Sequence, residues 1–421
     1  MKVVENYIKA VQASNLYPNH YVIHGKNGNE VDIECEHSGQ RIKATNFGHN
    51  DILGLSQHPA VKEAAILAIE RFGATNSSCH TLCGRIDLHR ELEHEISSFK
   101  GLPHTYLFLN AWMALQAVMD GFCHLAIPVP GFKHQQETLI LTDILNHGCI
   151  TSAVMNADNR SGKMITHSPK VTNKAYRHID MENLASKLAR FAKPDHRIVV
   201  ITDAVFSMDG DIVPLPEMVD VLAQYPGTVL VLDEAHSSGA LGETGHGICE
   251  HFDLSPAQIR EKGVEPVIMT TFSKFGASAG AAISTFSKEF TMLLDACPTS
   301  IGTISLSPPA TAAALEAIRQ LKKQSDLPNL LRRRTQFFRA ELANHGFEAI
   351  GETNVVPILL PEYINPKDFC DYMLKHDGIW ASPVWFIAKP RVRVVVNVTH
   401  SEDDLRRLVA ALVSTQAQFS T

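Results

Sequence analysis

The chain has 421 residues, and its 38 Lys and Arg against 45 Asp and Glu give a formal charge of −7. That mild acidity, with no long basic run, excludes a nucleic-acid platform, whose phosphate contacts need concentrated positive charge. Hydrophobic residues at 45% and charged residues at 20% exclude disordered, collagen-like and small disulfide-stapled classes.

In chain order, MKVVENYIKAVQ at the start lacks the apolar stretch of a signal peptide. No run approaches the ~18 uninterrupted apolar residues of a membrane span. The eight cysteines are scattered apart from Cys79 and Cys83, as expected for reduced thiols of a cytoplasmic protein. Residues 60–73 (AVKEAAILAIERFG) and 87–101 (DLHRELEHEISSFKG) predict amphipathic helices closed by glycine. RIVVITDAVF (197–206) and TVLVLDEAH (228–236) predict parallel strands buried on both faces. Between them PLPEMVDVLAQY (214–225) predicts a helix, with Met218, Val219, Leu222 and Ala223 at helical spacing. PVIMTTF (266–272) predicts a third strand that ends in the small-residue loop SKFGASAGAA (273–282). After SPPA (307–310) comes a helix-rich stretch, then NVVPILL (354–360) and RVRVVVNV (391–398), read as strands of a smaller domain. The expected fold is α/β: an N-terminal segment 1–60, a large domain 61–305 on a mostly parallel sheet, and a small C-terminal α/β domain 306–421.

Open parallel sheets bind ligands at the carboxyl ends of their strands. Three candidates fall there: Asp203 to Ser207, Asp233 with His236, and Lys274. An Asp, a His and a Lys at successive strand ends suit a cationic heterocycle, a phenolic oxygen and a carbonyl respectively. Singly, each has a plain alternative as a turn cap or a solvated charge. DEAH (233–236) invites a nucleotide-dependent helicase, but no G-x-x-x-x-G-K-[ST] loop precedes it. Cys79-His80-x2-Cys83 is half a zinc pattern without a second half.

NDILGLSQHPAVKEA (50–64), VFSMDGDIVPLPEM (205–218), LDEAHSSGALGETGHG (232–247) and TTFSKFGASAGAA (270–282) together resemble the signatures of the α-oxoamine synthases. These are pyridoxal-phosphate enzymes of the aspartate-aminotransferase fold (fold type I), and the resemblance spans roughly residues 45 to 400. It implies that Lys274 carries the cofactor covalently and that Asp233 pairs with its pyridinium nitrogen. His236 is implied at the phenolic oxygen, Thr271 at the phosphate and Ser207 near the ring. Arg393, the second Arg of an R-x-R strand, is implied to grip the substrate carboxylate, a task suited to a planar fork, with Asn50 beside it. His134, in PGFKHQQE (130–137), is the candidate for the histidine that stacks on the ring. Family members place that histidine in His-Ala-Ser, after a strand end containing Asp. The family's Ser-Gly-aromatic phosphate turn becomes Asn110-Ala111-Trp112, where backbone N–H groups of Ala111 and Trp112 at a helix start remain able to bind phosphate. Ser305, in TISLSPP (303–309), matches a hydroxyl that reaches the phosphate of a partner subunit. The implied reaction is a decarboxylative condensation of a small α-amino acid with an acyl thioester, on coenzyme A or a carrier protein, in a cytoplasmic homodimer. The departures from the family pattern suggest a specialised biosynthetic role. An aminotransferase or carbon–carbon lyase with the same cofactor apparatus is the alternative.

Overall fold

The computed structural model describes residues 1–14, 20–124, 136–160, 169–384 and 389–419. They form two compact units. The larger comprises Asp51–Ser207 and Asp211–Leu330, the smaller Met1–Asn50, Met208–Gly210 and Leu331–Thr421. The strands, in chain order, are β1 (Tyr21–His24), β2 (Glu30–Cys35), β3 (Arg41–Asn46), β4 (His104–Phe108), β5 (Thr138–Asp143), β6 (Val171–Tyr176) and β7 (Arg197–Asp203). They continue with β8 (Thr228–Asp233), β9 (Val264–Thr271), β10 (Ala281–Thr285), β11 (Val355–Leu359), β12 (Ile379–Trp380), β13 (Ser382–Val384) and β14 (Arg391–Val395).

The larger unit is built on a seven-stranded sheet of order β4-β10-β9-β8-β7-β5-β6. Strands β6, β5, β7, β8 and β9 run parallel, and β10 is antiparallel to both β9 and β4. The sheet is covered on both sides, which is why its strands lack polar alternation. Val199, Ile201, Val231 and Met269 point to a core shared with Ala114 and Val118 of the helix Ala111–His124 and Ile150 and Val154 of Gly148–Arg160. Val200, Leu230, Leu232 and Ile268 point the other way, toward Leu184, Leu188, Met218 and Leu222. The period-2 alternation of the strand thus divides one apolar run between two cores.

The expected helices form with shifts of up to three residues at their ends: Pro59–Phe72, Asp87–Lys100 and Leu215–Leu222. Gly73 (φ 86°) and Gly101 (φ 65°) close the first two with positive φ, which favours glycine. Strand β7 stops at Asp203, short of the expected Phe206. There the Ala204 N–H turns to the Asp233 carbonyl at 2.9 Å, and Phe206 bonds Asp211 at 3.0 Å, closing a tight loop. Strand β8 likewise ends at Asp233.

The unit boundaries differ from the division at 60 and 305. Strand β3 pairs in parallel with β12, Thr45 facing Ile379, so Met1–Asn50 is grouped with the C-terminal unit. The larger unit extends to Leu330 because the helix Pro308–Lys323 packs on Pro59–Phe72 and Asp87–Lys100. In the smaller unit, β1-β2-β3-β12 form one sheet and β11-β14-β13 another. Among the described residues no helix is long and apolar enough to cross a membrane.

One ion pair fixes the larger unit from within. Lys100, the last residue of its helix, donates to Glu234 Oε2 at 2.5 Å, to Ser238 Oγ at 2.7 Å and to the His246 carbonyl at 2.7 Å. The side chains are 1% and 0% exposed. Gly247 (φ 109°) is needed beside it, since a Cβ there would lie 1.9 Å from Glu234 Oε2. Removing one partner strands the other charge in a dry interior. Lys100→Met or Glu234→Gln alone is therefore expected to lower the unfolding free energy by about 3–5 kcal/mol, and the double variant to recover part of that loss. Urea denaturation of the four proteins measures it.

Candidate active site

The carboxyl ends of the parallel strands carry a row of acids. The register sets Asp203 of β7 opposite Asp233 of β8, and Asp143 ends β5. All three are buried, and the backbone and side-chain groups that compensate each one organise the loops that follow. Asp143 accepts from the N–H groups of Leu145 at 2.8 Å and Ile179 at 2.9 Å. Its neighbour Asn146 spans two strands, donating to Thr142 Oγ1 and the Ile201 carbonyl and accepting from the Asp203 N–H. Asp203 in turn accepts from the His147 N–H at 2.6 Å. The chain from 143 to 147 is thereby tied down at nearly every residue.

These loops surround a cavity of about 300 Å³. Lys274, Asp233, His236, Thr271 and Ser207 line it, as do Asn110, Ala111 and Trp112 at the start of the helix Ala111–His124. Seven of the expected site residues are thus brought together on one unit. The four residues of DEAH divide their work: Asp233 and His236 face the cavity, Ala235 donates its N–H to Asp233 Oδ1 at 2.9 Å, and Glu234 turns to Lys100. Asn110 caps the helix by accepting from the Met113 N–H at 2.9 Å, which leaves the first N–H groups at the cavity. Thr271 Oγ1 lies 3.1 Å from Ser273 Oγ and 3.1 Å from the Gly280 carbonyl. Gly280, at φ 117°, closes the loop that carries Lys274, where a Cβ would meet Phe272 at 2.8 Å.

Electrostatically the cavity floor is acidic and under-compensated. Burial pushes Asp233 up to about 6, against the opposing pull of the Lys274 ammonium. Burial and the neighbouring Asp233 raise Asp203 well above the carboxylate range. Burial and Lys274 both lower the His147 imidazole, which keeps it neutral.

His147 also lines the cavity, and the sequence reading passed it over. The signal was present: DILNHGC (143–149) has an Asp at a strand end and a histidine followed by two small residues. His134 lies outside the described residues. Ser305 does not line this cavity. Its hydroxyl donates toward the carbonyls of Gly84 at 2.5 Å and Ser78 at 3.0 Å, and it is buried. Arg393 and Asn50 belong to the smaller unit. Arg393 is buried in β14, which lowers its guanidinium to about 10. Asn50 carries a buried side-chain oxygen with no hydrogen-bond partner. Among the described residues no group of His, Cys, Asp and Glu suits a metal ion.

Residues 42–412 match the family model for aminotransferase class I and II. The 8-amino-7-oxononanoate synthase of Petrotoga mobilis is 32% identical over 86% of this chain and 86% of its own. That of Bacillus subtilis is 28% identical over 90% of this chain and 89% of its own. The chain belongs to the α-oxoamine synthase family. Its members are pyridoxal-phosphate-dependent acyltransferases that condense an amino acid with an acyl thioester and release CO2. The fold agrees: serine palmitoyltransferase of Sphingomonas wittichii superposes with a TM-score of 0.83 at 21% identity, over 99% of this chain and 96% of that one. The Francisella tularensis 8-amino-7-oxononanoate synthase superposes with 0.69 at 19% identity, over 90% and 98%.

The cavity of this family member suits pyridoxal phosphate on its own terms. The ionised form of Asp233 has one backbone N–H at 2.9 Å and a thiol as far as 3.9 Å. A buried carboxylate needs more, and a cationic ring N–H supplies it. The helix start offers N–H groups to a phosphate, and Lys274 an amine to an aldehyde.

Behind the cavity, His178 binds Asp143 through Nδ1 at 3.0 Å and Asp211 through Nε2 at 3.2 Å. Burial disfavours its cation, but the hydrogen bonds and charges of the two acids outweigh that and push it up to about 9. A raised folded pKa stabilises fully below the ordinary 6.5 and is lost as pH rises through about 9. His178→Gln should therefore lower stability by on the order of 2 kcal/mol at pH 6, with the gap to the parent closing by about pH 10. Thermal melts of both proteins at the two pH values check it.

Proposed function

We propose that this chain joins a small α-amino acid to an acyl thioester at the cavity of the larger unit, releasing CO2, the free thiol and an α-amino ketone. The observation that carries the reading is the convergence of Lys274, Asp233, His236, His147 and a helix start on one hollow. We assign Lys274 as the attachment point, Asp233 to the ring nitrogen and His236 to the phenolic oxygen. Thr271 and the N–H groups of Ala111 and Trp112 take the phosphate, and Ser207 lies near the ring. His147, rather than His134, is assigned to the ring face.

Bound there, pyridoxal phosphate supplies an electron sink that makes the α-proton of an attached amino acid removable. Lys274 Nζ takes that proton as general base. Asp233, held ionised by its cationic partner, keeps the sink protonated. His147, neutral and half-exposed, offers a hydrogen bond without a competing charge. Arg393 and the Asn50 amide are assigned to the substrate carboxylate. Ser305 is assigned to holding the segment 76–84, since its hydroxyl is already donated within the chain. Exposed Leu82, Trp112, Ile301 and Ile304 of the larger unit support the homodimer that the resemblance implies. A cytoplasmic, specialised biosynthetic role is part of the same reading.

The test is visible absorption of the purified protein while glycine, L-alanine and L-serine are titrated in, followed by acyl thioesters with free thiol assayed. An absorption band that responds to one amino acid, with thiol release on adding a thioester, is expected. Lys274→Ala should lower turnover by at least about 100-fold. Amino-group transfer to a keto acid without thiol release would replace the condensation by a transaminase. Efficient turnover of L-alanine with pimeloyl thioester would remove the specialised role.

A further inference from the structure

Cys149 stands in the cavity wall beside the two groups that matter most to the chemistry. Its sulfur lies 2.8 Å from His147 Nδ1 and 3.9 Å from Asp233 Oδ2. The side chain is buried, at 3% exposure. Its backbone N–H also points at His147 Nδ1, at 3.2 Å. The backbone N–H is a fixed donor to that nitrogen, so Nδ1 presents its lone pair and the ring proton sits on Nε2. The thiol beside it can then only donate to that lone pair.

We propose that Cys149 is a positioning residue that locks His147 as the neutral Nε2–H tautomer. This inference deepens the reading of the same site and rests on it for the role of His147. The thiol can act only while it keeps its proton, and burial together with Asp233 and Asp203 raises its pKa far above the working range. The thiol has one proton to give, and the distances direct it to His147 and not to Asp233. Protonation of His147 would place a proton on Nδ1 against both donors, so the imidazolium is disfavoured by geometry as well as by burial and Lys274. The backbone completes the lock: the His147 N–H is held by Asp203, and Asn146 pins the preceding turn to β7. The ring then has one donor left for the reacting groups, and no positive charge to draw electrons from the substrate carbanion.

The test uses the full chain labelled with 15N-histidine, read by long-range 1H–15N correlation across pH, with the His147 signals assigned by their loss in His147→Gln. The parent is expected to show the Nε2–H pattern and to protonate at lower pH than an ordinary imidazole. Cys149→Ala keeps the backbone donor and loses the thiol. It should raise the His147 pKa by about one unit and mix the tautomers, and Cys149→Ser should restore the parent pattern. A parent with the proton on Nδ1, or a Cys149→Ala variant with unchanged tautomer and pKa, overturns the proposal. In the pyridoxal-phosphate-loaded protein, exchange of the glycine α-proton with deuterium gives a second readout. Its acid limb should move up in Cys149→Ala and return in Cys149→Ser. Absence of exchange with glycine, L-alanine and L-serine in the parent would count against the condensation reading, while the nitrogen spectra still decide the tautomer.

Discussion

The larger unit is organised by the need to compensate carboxylates buried at one end of a parallel sheet. Parallel pairing sets Asp143, Asp203 and Asp233 at neighbouring strand ends, and Glu234 follows directly. A buried charge without partners costs several kcal/mol, so each acid recruits a different answer. Glu234 takes a lysine ammonium, Asp143 a histidine cation and two backbone N–H groups, and Asp203 a loop amide. Asp203 and Asp233 both line the cavity with Lys274, and each receives one backbone N–H, Asp233 adding a thiol as far as 3.9 Å. What this pair still lacks amounts to an affinity for a cation, held in reserve until a cofactor ring enters.

The same compensation accounts for local backbone strain. Ile179 adopts φ 53°, a left-handed conformation that a β-branched residue rarely takes. Its N–H is bound to Asp143, and its side chain packs against the core that holds Leu184 and Phe206. The strain is tolerated because the turn must present both that N–H and the His178 ring to one acid.

Much of the site could be read directly because its residues lie next to strand ends that are themselves marked by apolar runs. Asp233, His236, Thr271 and Lys274 follow such runs within a few residues, so their placement needs little tertiary information. His147 lies just as close to a strand end, after LILTD, whereas the candidate taken from the sequence, His134, lies outside the described residues. Gly148 and Cys149 after His147 are small, like the two residues that follow the histidine in the family's His-Ala-Ser. Two features were not legible. The membership of residues 1–50 depends on Thr45 pairing with Ile379, a contact more than three hundred positions apart along the chain. The end of β7 at Asp203 depends on a carbonyl of β8, whereas the apolar pattern of the sequence continues unbroken to Phe206.

The helix Gly148–Arg160 begins with a residue that has no side chain, and the Trp112 ring lies 4.0 Å from where its Cβ would stand. That distance is ordinary van der Waals contact, so an alanine methyl at 148 would rest on the indole without displacing it. Both positions are exposed, and a longer side chain at 148 can turn to solvent. The indole at 112, which lines the cavity, therefore offers a neighbour at 148 a surface to lean on and sets no ceiling on its size.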